Sequence, residues 1–405
     1  MSAIGGIVDF KNDEVDFARL NRMRLSMSLR GRKRSSAFLC GGVGMIFNSH
    51  REEKDGERQP CINERRGQVS ALCIDGEGFS APSLLERYSV HGLELLGMLE
   101  GAFSLALYDG EREMLILARD KKGRKPLFYR VYENKIFFAS EVKGLLDAVN
   151  GSVRVNKEIL ELHLTSPAGI YRASNIYSEI SEVMAGECLL FTRLGVSKFF
   201  YRQSRDSRPI KAQKNEATPL NKSPKIFSAY RLADPCMTEE YLREALIAFD
   251  YPQFDCYMSS LMLMLDTAAG QEKKTVHFED AMRRKNLSYA HEREDRLGAL
   301  YGLEAIGTLP RVAEWGDIDN IIKTEERLAF SVLSMNESER EILKAVFGEH
   351  KLYTLLRFFE KRSIKKEDTE QRVRILGMLY QTVEWFESRA VILDDSRKIY
   401  CEQSL

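Results

Sequence analysis

Apolar and polar positions along the first third of the chain predict paired strands. Phe103 to Tyr108 and Met114 to Ala118 are apolar runs separated by Asp109-Gly110-Glu111, a hairpin signal. Leu127 to Tyr132 and Lys135 to Ala139 flank Glu133-Asn134 and predict a second hairpin. These runs are predominantly apolar, so the strands are expected to be buried on both faces. Beyond residue 335 the pattern is helical. Asn336 with Glu339 predicts a capped start, Leu343, Val346 and Phe347 fall on one face, and Gly348 supplies a stop. Leu352, Leu355, Leu356 and Phe359 continue the stripe, and Val373, Leu376, Leu379, Tyr380, Val383 and Phe386 form another. Such stripes are expected to pack into a core, with a partner-binding face as the alternative. Between Tyr201 and Lys225 the chain is polar, basic and punctuated by Pro209, Pro219 and Pro224, which predicts a flexible linker.

Composition narrows the classes. A chain of 405 residues can build two or three domains with substantial cores, and its formal charge of zero argues against general nucleic-acid binding. The seven cysteines contain no Cys-x-x-Cys pair, and His277 and His291 lack metal-ligand spacing on one helix. Free thiols in a reducing cytosol are therefore expected, with no metal. Ala3 to Val8 is far too short for a signal-peptide core or a span, and Leu261 to Leu265 reads as a core helix fragment, so a cytoplasmic protein without membrane contact is expected. Arg30, Arg32, Lys33 and Arg34 read as a solvated basic loop, with phosphate contact as the alternative.

The ordered blocks of the N-terminal half carry a resemblance. Met1-Ser2-Ala3-Ile4-Gly5-Gly6-Ile7-Val8 resembles the Met-Cys-Gly-Ile-x-Gly start of class II glutamine amidotransferases. Leu99 to Asp109, Leu117 to Tyr129 and Phe138 to Leu146 then follow in the order and spacing of glutamine-hydrolysing asparagine synthetases. Ile176 through Gly186 to Phe199-Phe200-Tyr201 resembles the segment that closes their glutaminase domain. The resemblance implies an α+β fold: an αββα sandwich of the N-terminal-nucleophile type over residues 1–201. A linker over 202–225 would join it to a reduced, mostly helical synthetase remnant over 226–405.

What the resemblance implies about chemistry is altered at each position. The family's nucleophilic cysteine is Ser2, a weaker nucleophile whose own α-amine would act as base. Of His-Arg-Gly-Pro-Asp only Arg30-Gly31 remains, as a vestigial substrate-binding pair. The arginine that clamps the glutamine carboxylate falls near Phe47 or Asn48, counted back from Gln59-Pro60, and neither can form a bidentate pair. The oxyanion segment Asn-Gly-Glu is Asp75-Gly76-Glu77, which sets negative charge beside a developing oxyanion. The Ser-x-Asp-Thr-Glu segment has no counterpart between Glu77 and Leu99.

The second half departs in the same way. No Ser-Gly-Gly-x-Asp-Ser phosphate loop exists, so no nucleotide cofactor is expected. Lys225 to Tyr230 resembles a synthetase strand, Leu242 to Pro252 a helix ending in Asp-Glu-Pro, and Glu292 to Ala305 a later helix. Thr275 to Asp280 is the candidate remnant of Gly-Asp-Gly-x-Asp-Glu. The expectation is a pseudoenzyme with no catalytic residue, acting as a scaffold or regulatory partner of an active amide ligase. Its partners would be a second copy or an asparagine synthetase-like homologue. The alternatives are a Ser2-dependent amidohydrolase, an ATP-dependent amide ligase using ammonia or an amine, and a nucleic-acid-binding adaptor.

Overall fold

The computed structural model describes residues 2–11, 14–31, 33–50, 58–76, 78–149, 153–165, 176–201, 210–211, 235–249, 318–360, 366–388 and 391–394, with 252, 262, 265, 275–277 and 304–306. Two six-stranded sheets dominate the N-terminal half. The first has the order β12 (Ser181–Glu182), β9 (Phe128–Tyr132), β10 (Lys135–Ala139), β1 (Ser2–Asp9), β3 (Val43–Ser49) and β2 (Arg34–Cys40). The second runs β14 (Gly195–Phe200), β13 (Glu187–Thr192), β8 (Met114–Arg119), β7 (Phe103–Asp109), β5 (Gln68–Gly76) and β4 (Cys61–Arg65). Both predicted hairpins are present, pairing Asp109 with Met114 and Tyr132 with Lys135. Glu133 and Asn134 both take positive φ, as the tight turn requires.

Strand alternation sorts the side chains into layers. Ile4 and Val8 of β1 meet Cys73, Ala106, Leu117 and Leu189 between the sheets. Ala3 and Ile7, one residue out of phase, face Leu20 and Met23 of α1 (Phe17–Ser26) and Val142 and Leu145 of α4 (Val142–Ala148). On the far side, Leu72, Leu105 and Ile116 pack against Leu84 and Leu85 of α2 (Ala81–His91) and Leu95 and Leu96 of α3 (Leu95–Met98). The four layers are helix, sheet, sheet, helix, as the αββα expectation requires. α2 and α3 occupy the stretch in which the sequence lacks the Ser-x-Asp-Thr-Glu segment.

The C-terminal described elements are mostly helical: α6 (Pro235–Phe249), α7 (Ile318–Leu333), α8 (Glu337–Phe347), α9 (Glu349–Glu360) and α10 (Lys366–Ser388). Asn336 and Glu339 form the expected reciprocal capping box, and Gly348 closes α8 at φ 75°. Leu343, Val346, Phe347, Val373, Leu376, Leu379 and Val383 are buried, so these stripes are core. They join the cluster that contains Ala3, Ile7 and Leu145, which makes one apolar core continuous from the first sheet to the helices. Trp385 packs edge-on against Tyr177, with ring centroids 6.0 Å apart. β18 (Val391–Asp394) pairs in parallel with β11 (Val153–Asn156).

Two local expectations change. Ile210–Lys211, inside the expected linker, forms a short strand, β15, beside β6 (Leu99–Glu100). Glu304 and Ala305, expected at a helix end, lie in β17 (Glu304–Ile306), paired in parallel with β16 (Thr275–His277). The expected strand over 225–230 and residues 292–303 of the expected helix lie outside the described residues.

His163 of α5 (Lys157–Thr165) also ties the halves together. It is buried, and its Nε2–H donates to the Pro252 carbonyl oxygen at 2.8 Å. Burial, aided by the positive charge of Arg374, lowers its pKa from 6.5 to about 4. Below pH 6.5 the unfolded chain takes up a proton that the folded chain refuses. Stability is therefore expected to fall by about 3 kcal/mol as pH drops from about 6.5 to about 4. Urea titrations across this window should show that slope, and His163→Gln, which keeps an N–H donor, should remove it.

Candidate functional site

Ser2 begins β1, opposite Ser49 of β3, and is half-buried. Behind it the loop after α1 turns inward. Arg30 is fully buried and its Nε donates to the Ser2 carbonyl oxygen at 3.0 Å. A Cβ on Gly31 would lie 2.2 Å from the Ser49 nitrogen, so only glycine lets this loop lie flat on β3. Gly31 thus has a packing role that brings Arg30 inward. Arg34, by contrast, lies over the Phe47 ring, so the expected basic patch is divided between interior and surface.

Asp75 follows from the alternation of β5. Ala71 and Cys73 face the layer between the sheets, and Asp75 falls on that same face, 1% exposed. Its Oδ2 lies 3.4 Å from Arg30 Nη2 and its Oδ1 3.9 Å from Lys125 Nζ. Arg30 Nη1 also lies 3.8 Å from Glu141, and Glu141 Oε2 lies 3.1 Å from Lys143 Nζ. Arg30, Asp75, Lys125, Glu141 and Lys143 are each buried, so three cations and two carboxylates form one internal cluster beside Ser2. Buried charges persist only where they are paired.

The Gly76 backbone ends β5 against Phe79 and the Ala102 carbonyl oxygen, too tightly for a Cβ, while Glu77 lies outside the described residues. Phe47 is buried between the sheets. Asn48 uses its amide to donate to the Arg24 carbonyl oxygen at 2.8 Å and to accept from Ser35 at 2.6 Å. Neither supplies a carboxylate clamp. Gln59 accepts from the Ile74 N–H at 2.7 Å and fastens the neighbouring strand.

Neither buried thiol stands in for the missing one. Cys73 and Cys188 are free and buried, and burial pushes both thiols up, so neither is a thiolate at neutral pH. Among the described residues no group of three or more His, Cys, Asp and Glu side chains could hold a metal ion. No described helix is long and apolar enough to cross a membrane.

Comparison with known proteins adds an independent line. A glutamine amidotransferase domain model matches residues 75–202. Asparagine synthetase [glutamine-hydrolyzing] 3 of Bacillus subtilis is 26% identical over 229 residues, covering 50% of this chain and 36% of its own length. The N-terminal half is similar to the asparagine synthetase-like glutamine amidotransferases. Asparagine synthetase B of Escherichia coli is 27% identical over 169 residues, covering 36% of this chain and 30% of its own length. The amidase chry2 of Gibberella zeae is 42% identical over 63 residues, 16% of this chain and 9% of its own length. This asparagine synthetase-like chain therefore spans about a third or less of the curated relatives it matches.

The structure brings Ser2, Arg30 and Asp75 together through the Arg30 side chain. Sequence reasoning missed Lys125, Glu141 and Lys143 as members of the same site. Their signal was present: each is a charged residue next to apolar positions inside a block already matched to the family.

Proposed function

We propose that this chain is a non-catalytic asparagine synthetase-like protein that serves as a scaffold or regulatory partner of an active amide ligase. The observation that carries the reading is the placement of Asp75. An oxyanion needs hydrogen-bond donors aimed at it, and losing even one donor costs about 10²–10³ in kcat. At the residue that the resemblance aligns with the oxyanion donor, this chain has the buried carboxylate of Asp75, which draws on Arg30 and Lys125 for its own neutralisation. The guanidinium is thereby committed to an internal acid, and Ser2 offers a hydroxyl where a thiolate is needed.

Purified protein is expected to release no ammonia from glutamine above the buffer rate, and Ser2→Cys alone is expected not to restore release. Robust turnover by the serine form would overturn the non-catalytic reading; turnover after Ser2→Cys alone would show a competent glutamine pocket. The partner role is tested by co-expression with an intact asparagine synthetase homologue and light scattering of the tagged product. A stable complex should bury about 1,000 Å² or more. A strict monomer that leaves the homologue's activity unchanged would remove that role.

A further inference from the structure

The buried charge cluster does not stop at the sandwich. Glu141 starts α4 and directs its carboxylate to Arg30 and Lys143 instead of capping the helix. Lys143 Nζ then donates to the Ile247 carbonyl oxygen at 3.1 Å. Ile247 lies in the last turn of α6, where carbonyl oxygens lack intrahelical partners and the helix dipole is negative. An ammonium there satisfies both the carbonyl and the dipole. α6 is held from its other side by α10: Gln381 donates to the Leu242 carbonyl oxygen at 2.7 Å, and Arg243 pairs with Glu384 at 3.2 Å.

From these contacts we infer that the ion-pair chain Asp75–Arg30–Glu141–Lys143 is a latch coupling the Ser2 site to the C-terminal helices through the end of α6. A shift of Arg30, which holds the Ser2 carbonyl oxygen, changes the charge seen by Glu141. Glu141 in turn sets where Lys143 can reach. Because all four side chains are buried, no water shell screens one link from the next, and the pairings respond together. The inference rests on these distances and is independent of whether Ser2 hydrolyses anything.

Hydrogen exchange of the full chain tests it, reading the amides at the end of α6 against those of β13, which lies in the second sheet away from the latch. Lys143→Met removes one cation from the cluster and should speed exchange at the end of α6 by about tenfold relative to β13, the size expected for a local opening eased by loss of a buried ion pair. Asp75→Asn combined with Lys125→Met removes one charge of each sign and touches neither Lys143 nor α6. It should also speed α6 exchange relative to β13. Asp9→Asn, which breaks the Asp9–Lys135 pair (3.0 Å), should not. Unchanged α6 exchange in Lys143→Met would overturn the anchor, and the same α6 rate in the double variant as in Asp9→Asn would overturn the coupling.

Discussion

Replacing Glu141 by glutamine is expected to lower the unfolding free energy by about 3–5 kcal/mol, among the largest effects of any isosteric change in the chain. Glu141 is 1% exposed and contacts both Arg30 and Lys143. Its neutralisation leaves Arg30 and Lys125 to share Asp75 and leaves Lys143 without its paired carboxylate. Glutamine fills the same volume, so the cost is electrostatic and not a packing defect. The double variant Glu141→Gln/Lys143→Met removes one charge of each sign and should recover at least half of the loss. Urea denaturation followed by circular dichroism measures both variants against the parent chain. A cost below about 1 kcal/mol for Glu141→Gln, the range of exposed pairs, would mean that water reaches the cluster and screens it.

Trp385→Ala is expected to cost about 3–5 kcal/mol by transfer and cavity terms together. Trp385 is 1% exposed on α10 and meets Tyr177 and Phe386 edge-on. Its Nε1 has no hydrogen-bond partner among the described residues, so the indole acts there as apolar bulk. Trp385→Phe should accordingly cost far less than the alanine change. The apolar core runs unbroken from the first sheet into the helices, so unfolding of Trp385→Ala should remain a single transition. Two resolved transitions in the alanine variant would show that sandwich and helices unfold independently.

Much of this architecture was legible from pattern. The hairpins through Asp109 and Asn134 and the capped start at Asn336 are local: turn chemistry, strand periodicity and a reciprocal side-chain cap fix them within a few residues. The family blocks gave the two sheets, because Leu99 to Asp109 and Phe138 to Leu146 contain β7, β10 and α4. What the sequence could not supply was long-range pairing. Asp75 was read as an altered oxyanion position and Arg30 as a vestigial substrate-binding residue, yet they neutralise one another across 45 positions. Lys143 and Ile247 are 104 positions apart, and nothing in either neighbourhood announces the contact. Likewise the helical stripes showed that α8 and α10 bury a face, but not that the face packs against α5.

The parallel pairing of β11 with β18 sets an order on biosynthesis. Val153 leaves the ribosome long before Val391, its partner, exists. At about 5–20 residues per second, the interval is on the order of ten seconds or more. Until the helices from Pro235 onward emerge, the apolar side of α5 has nothing from the C-terminal half to cover it, while the inter-sheet layer is complete in sequence once Phe191 has been made. The nascent sandwich thus carries an uncovered hydrophobic flank, the kind of surface that chaperones bind and that aggregates when they do not. Closure waits on a contact of very high sequence separation, the slow class in folding kinetics.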